Sequence, residues 1–329
     1  MPKWVSYLLP MVGIVLFVYI LAVTGPARIL ATVQEIDPWS LLIFPLFTFA
    51  IILIRGLRWW YILRILKIDY PFWRCCTIWT IGFFASAVTP GKLGDAVRSF
   101  YVSRDTSRNL GDGFLTVFID RLMDLVVILV FSMISVIVFS HAYIQLSSAW
   151  VFLLASVLVL AAIGLTLKRA LMRALLAPLF RFFVPQRFRD RMSAGFHSFY
   201  DSLDAFLRVR WPTLGVLALT VAYWLLVFVL VYCITRALGL NVSFSYITLV
   251  IPIVTIVEFL PISISGLGTR EAALIYFLGV IGIARPEAVA FSLVYLLFGT
   301  YATALVGLLF WLRSPVAFTP VVTEAERTI

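Results

Sequence analysis

Apolar residues run along this chain in long blocks, not in the alternation of a half-buried strand or the stripe of a surface helix. Six blocks, 4–24, 39–59, 113–139, 149–167, 212–235 and 287–312, match the length of about 20 residues that a helix needs to cross a bilayer. Two more, 72–103 and 244–284, are equally apolar but broken midway by Pro and Gly. In hydrocarbon only a helix or a closed barrel satisfies every backbone group, so the six blocks predict membrane helices. The first exceeds the apolar core of a signal peptide, about 7–15 residues, and Thr24-Gly25-Pro26 is a poor cleavage site, so it reads as a retained anchor.

Basic residues sort the loops. Segments 55–74, 98–108 and 168–210 hold seventeen Lys and Arg, whereas the loops on the other side hold only Arg28, Arg236 and Arg285. Lys and Arg mark cytoplasmic loops, so both termini are expected in the cytoplasm. Basic loops flank 72–103 on both sides, which predicts a re-entrant hairpin that enters from the cytoplasm and returns there. By the same count 244–284 enters and leaves from the opposite face. Full crossing by both would give eight spans.

Composition agrees. The 329 residues are 63% hydrophobic and 13% charged, against about 45–50% and about 25% in soluble domains. That excludes a soluble or disordered chain. Three Cys and two His are too few for a disulfide framework or a His-rich metal centre, and no cofactor or metal is expected. The formal charge of +10 fits an anionic membrane surface, and nucleic acid is not an expected partner.

The order span, span, broken block, span occurs twice. Trp39 and Thr213, Gly94 and Gly268, and Gly113 and Glu287 are landmarks in matching places, each pair 174 residues apart. Three crossings per half make the second half inverted relative to the first, an architecture of secondary transporters. The fold class expected is an all-α polytopic membrane protein, an inverted repeat of about six transmembrane helices plus two re-entrant helical hairpins. It forms a single membrane domain, 1–313, with halves at about 1–140 and 149–313. A basic cytoplasmic loop, 168–210, lies within the second half, and a short tail, 314–329, follows.

The candidate chemistry sits at the two breaks. The first contains Lys92, Gly94, Asp95 and Arg98; the second contains Gly266, Gly268, Thr269, Arg270 and Glu271. Each has Leu-Gly before a good N-cap residue, Asp95 or Thr269. A helix starting there would aim free N–H groups and its positive dipole end toward the protein centre, and Lys92, Arg98 and Arg270 add cations. This combination suits a phosphate or similar anion, provided Asp95 is paired with an Arg. The competing reading is that these charges neutralise one another and pin the breaks. Asp120 and Asp124, four apart on one helix face beside Arg121, form a coupling pair, an acid/base or metal pair, or an internal Asp–Arg network; Glu258 raises the same question. Within the basic loop, Leu171–Phe183 has the pattern of an interfacial amphipathic helix.

Gly-Leu-Arg-Trp-Trp (56–60), Thr-Pro-Gly-Lys-Leu-Gly-Asp-Ala-Val-Arg (89–98), Asp-Arg-Leu-Met-Asp (120–124) and Pro-Ile-Ser-Ile-Ser-Gly-Leu-Gly-Thr-Arg-Glu (261–271) follow in the order of one family. In these motifs the chain resembles the transmembrane region of lysylphosphatidylglycerol synthases, a flippase-like group of integral membrane proteins, over about residues 4–313. The resemblance implies movement of a lipid between leaflets. The sixteen or so residues after the last span are too few for the aminoacyl-transferase domain of the synthases, so lysyl transfer is not expected. The expected function is therefore a non-enzymatic lipid flippase or transporter in a prokaryotic cell membrane. Its substrate would be an anionic phospholipid or polyprenyl phosphate, with the head group held between the two breaks. A membrane-embedded transferase acting on a lipid carrier, and a scaffold that recruits a soluble lipid-modifying enzyme through 168–210, are the alternatives.

Overall fold

The computed structural model describes residues 18–34, 36, 42–106, 108–143, 149–168, 199–204, 206, 209–259 and 266–313. Their regular elements are helices: α1 (Pro26–Gln34), α2 (Ile43–Ile65), α3 (Phe72–Val88), α4 (Val97–Thr106), α5 (Leu110–Ala142), α6 (Ala149–Thr166), α7 (Arg210–Ala237), α8 (Phe244–Phe259), α9 (Thr269–Val280), α10 (Arg285–Tyr295) and α11 (Ala302–Arg313). A 3₁₀ segment, Pro90–Ala96, joins α3 to α4, and a π-helical segment, Leu296–Tyr301, joins α10 to α11 without a break. No strand occurs among the described residues.

The apolar blocks become these helices with small shifts at their ends. Ile43–Ile65, Leu110–Ala142, Trp211–Ala237 and Arg285–Arg313 are each long and apolar enough to cross a membrane; α6, eighteen residues long, corresponds to the block 149–167. The first block is described only from residue 18, helical to Thr24. The tail, residues 169–198 of the basic loop and the amphipathic stretch Leu171–Phe183 lie outside the described residues. Along the outer faces large apolar side chains stay uncovered, among them Leu46, Trp150, Leu158, Leu305 and Leu312. Such a surface is stable in lipid and not in water. The chain is an all-α polytopic membrane protein.

The repeat is visible in the elements themselves. A long helix, a broken pair and a long helix occur as α2, α3/α4, α5 and again as α7, α8/α9, α10–α11. Phe72 and Phe244, Val97 and Thr269, and Leu110 and Arg285 open corresponding helices at offsets of 172, 172 and 175 residues. The halves interlock: α8 packs on α5, α11 on α3, and α7 on α2 and α5. Small residues allow close approach, as in other membrane bundles. A Cβ on Gly307 would lie 2.0 Å from the Thr80 carbonyl oxygen, and one on Gly56 would lie 2.3 Å from Cys76 Sγ. One apolar core runs through both halves, from Trp59, Trp79 and Phe139 to Val231, Ile251 and Phe291.

Candidate functional site

The first break is built by the chain's own hydrogen bonds. Pro90 cannot donate a backbone N–H and Thr89 is extended, so α3 ends at Val88. Thr89 Oγ1 donates to the Ala85 carbonyl (2.8 Å) and accepts from Gly94 N–H (2.8 Å), folding Pro90–Ala96 back against α3. A Cβ on Gly94 would lie 2.2 Å from Ala85 O, so the room this glycine leaves is filled by protein backbone and not by a ligand. Lys92 sits at φ +57°, a left-handed conformation that a residue with a Cβ adopts at a cost. At the second break Gly266 and Gly268 have φ +77° and +83°. Gly266 is 174 residues from Lys92, so both halves turn left-handed at the same repeat position, with Gly in one and Lys in the other.

Neither residue expected to cap a helix start does so. The N-cap of α9 is Gly268, not Thr269, and its N–H donates to Glu271 Oε2 at 2.6 Å. The acidic side chain of α9's own first turn thus occupies its positive end. Thr269 Oγ1 donates instead to the Gly266 carbonyl, 3.2 Å away. Asp95 lies inside the 3₁₀ segment, two residues before α4, and its side chain pairs with Arg98 at 2.6 Å and with Arg121.

The charges form two groups. In the first half, Arg58 is fully buried; its Nε donates to Asp120 Oδ1 (2.7 Å), its Nη1 to Asp124 Oδ1 (2.7 Å) and to Thr220 Oγ1 of α7 (3.1 Å). Arg55 pairs with Asp124, and Arg98 bridges Asp95 and Asp120 (2.6 and 2.9 Å). In the second half, Arg270 donates to Glu271 (2.6 Å) and to Ser292 (2.9 Å), and its Nη1 is 3.8 Å from Glu258 Oε1. Arg98 and Arg270, 0% and 1% exposed, are thus ion-paired within the protein, although Arg98 Nε and Nη1 have no hydrogen-bond partner among the described residues. Buried charges persist only when paired in this way.

Arg55 and Arg58 were counted above as loop cations, but both are buried within α2. Removing them and Arg98 leaves fourteen basic residues against three, the same bias. Two Arg three apart inside block 39–59 do complement two Asp four apart inside 113–139, but nothing in the sequence pairs those two blocks.

Where the two halves meet, a cavity of about 100 Å³ opens beside the Arg–Asp group. Of the residues singled out from sequence, Lys92, Arg121, Asp124 and Glu258 line it; Gly94, Asp95, Arg98, Asp120, Gly266, Gly268, Thr269, Arg270 and Glu271 do not. Sequence reasoning missed Arg55, Tyr223 and Tyr295, which also line it, because no local pattern brings residues so far apart together. Lys92 reaches across the repeat boundary, with Nζ 4.5 Å from the centre of the Phe259 ring of α8, and it makes no ion pair among the described residues. Arg55 stacks on the Tyr223 ring at 3.4 Å. The π-helical segment supplies Gly299 and Thr300 to the wall, as such segments often do at functional sites. Among the described residues no group of three His, Cys, Asp or Glu could hold a metal ion. The arrangement can enclose a small anionic group among cations, hydroxyls and aromatic faces.

Comparisons place the chain among known sequences. Residues 10–307 match the family described as the lysylphosphatidylglycerol synthase TM region. A UPF0104 membrane protein of Methanothermobacter thermautotrophicus is 23% identical over 318 residues, covering 91% of this chain and 93% of that protein. Two UPF0104 membrane proteins of Methanocaldococcus jannaschii are 22% and 26% identical, covering 85% and 68% of this chain and 87% and 91% of their own lengths. No solved structure matches. With the matched region spanning both halves and the cavity between them, the chain belongs to the lysylphosphatidylglycerol synthase TM-region family.

Proposed function

We propose that the protein moves an anionic lipid between leaflets, with the head group passing through the cavity at the junction of the two halves. The observation that carries this reading is Lys92, a cation without an ion-pair partner among the described residues, aimed into a repeat-interface cavity beside Arg55 and Arg121. The head-group position therefore shifts from the helix starts expected from sequence to the cavity wall. The broken pairs α3/α4 and α8/α9 act as re-entrant hairpins, one from each face, and access alternates as one half tilts against the other. Both termini lie in the cytoplasm.

A transferase using Asp120 and Asp124 is disfavoured because all four of their carboxylate oxygens already accept hydrogen bonds from Arg55, Arg58 or Arg98. Purified protein in liposomes, with labelled anionic lipid and leaflet-resolved quenching, tests the proposal. Transfer above protein-free liposomes that is lost in Lys92→Gly is the expected outcome. Transfer no faster than in protein-free liposomes would reject it.

A further inference from the structure

The charges around the cavity do not cancel. In the first half four arginines face three aspartates, a surplus of one positive charge. Lys92 adds a second. In the second half Arg270 faces Glu258 and Glu271, a surplus of one negative charge. The whole constellation keeps a single uncompensated positive charge, and its two partly exposed cations, Lys92 and Arg121, both line the cavity.

The cavity wall also holds polar groups without a hydrogen-bond partner among the described residues. Arg55 Nε and Glu258 Oε1 are buried without a hydrogen-bond partner among the described residues. Tyr223, Tyr295 and Thr300 line the same space, and their hydroxyls make no hydrogen bond to a described residue. A phosphodiester carries one negative charge and two non-bridging oxygens that accept from an arginine N–H, an ammonium and hydroxyls. It matches the surplus charge in sign and size. A phosphomonoester, with a second ionisation near pH 6, brings one charge too many.

We infer that the cavity takes the phosphodiester group of a lipid with a single negative charge, and that Glu258 sets this limit by cancelling one of the two positive charges otherwise available. The inference deepens the lipid-transfer reading and rests on it. With Glu258 neutral the site would hold two surplus positive charges and favour a dianion; with Lys92 removed it would favour a neutral head group.

The test uses the full chain in detergent and in liposomes at about pH 8. The probes are phosphatidylglycerol, phosphatidic acid and phosphatidylcholine, which are a charged phosphodiester, a phosphomonoester and a zwitterion. Binding and leaflet transfer should favour phosphatidylglycerol over both others by about tenfold or more. Glu258→Gln should turn the preference toward phosphatidic acid, and Lys92→Gly should abolish the preference for phosphatidylglycerol. If wild type handles phosphatidic acid as well as phosphatidylglycerol, or if Glu258→Gln folds and leaves the order unchanged, the charge rule is wrong while lipid transfer stands. If no lipid is bound or moved, both readings fall. Should Glu258→Gln not fold, the wild-type ratio and Lys92→Gly decide the matter.

Discussion

Replacing Lys92 by Gly should leave the protein about as stable while disabling its site. Lys92 holds φ at +57°, and a left-handed conformation costs an L-residue about 1–2 kcal/mol. Glycine removes that cost but gives back about 0.5–1 kcal/mol through its freer unfolded chain. Loss of the cation–π contact with Phe259, 4.5 Å away, costs about another 0.5–1 kcal/mol. Lys92→Ala loses the same contact and the same charge but keeps the backbone cost. The difference between the two variants therefore isolates the backbone at about 0.5–1 kcal/mol in favour of Gly. Thermal unfolding in detergent should show the Gly variant about 1–3 °C above the Ala variant, with both losing transfer of anionic lipid. An Ala variant equal to or more stable than the Gly variant would mean that residue 92 is not strained. An active Gly variant would mean that its ammonium does not serve the site.

Other expectations follow from the packing. Arg58→Met leaves Asp120 and Asp124 short of a buried partner and should destabilise by about 3–5 kcal/mol; adding Asp124→Leu should recover part of it, and strictly additive losses in thermal unfolding would argue against the network. Gly307→Ala forces a methyl onto the Thr80 carbonyl and should cost about 1–3 kcal/mol. Gly279→Ala, in α9 with open space around its Cβ position, should stabilise slightly, and the two melting temperatures check the contrast. Partial burial opposes ionisation of Asp105, but hydrogen bonds from Tyr70, Arg104 and Arg74 outweigh it and hold this carboxyl below its usual range. Its contribution is present above about pH 4 and is lost as pH falls through the lower folded-state value. Asp105→Asn should flatten the acid limb of a stability profile, and an unchanged limb would contradict the assignment.

Hydropathy made the fold legible to within a few residues at most helix ends, because a membrane helix must be apolar along its whole length and its breaks need Pro or Gly. The site was legible only in part. Asp120 and Asp124 stand out as charges in an apolar block, and the Asp–Arg network weighed from sequence is what the side chains form. Arg55 and Arg58 were misplaced because a cation near a block's end looks the same whether it meets head groups or an aspartate from another helix. The helix starts misled for a related reason: sequence shows that an N-terminus exists, but not that Glu271 folds back to satisfy it. Tyr223 and Tyr295 carry no sequence signal, since aromatic residues are common at membrane interfaces and only tertiary packing turns these two inward.

Among the described residues every ion pair lies within one half: the Arg–Asp group ties α2, the first break, α4 and α5 together, and the Arg270 group stays in α8 and α9. Contacts across the boundary near the cavity are of another kind, such as Arg58 to the Thr220 hydroxyl, Arg55 on Tyr223 and Lys92 on Phe259. The two halves can therefore part without separating any of these opposite charges, and neither is left holding a newly orphaned ion. Electrostatics makes each half stiff, while the seam between them is held by apolar packing and by contacts that pair no opposite charges.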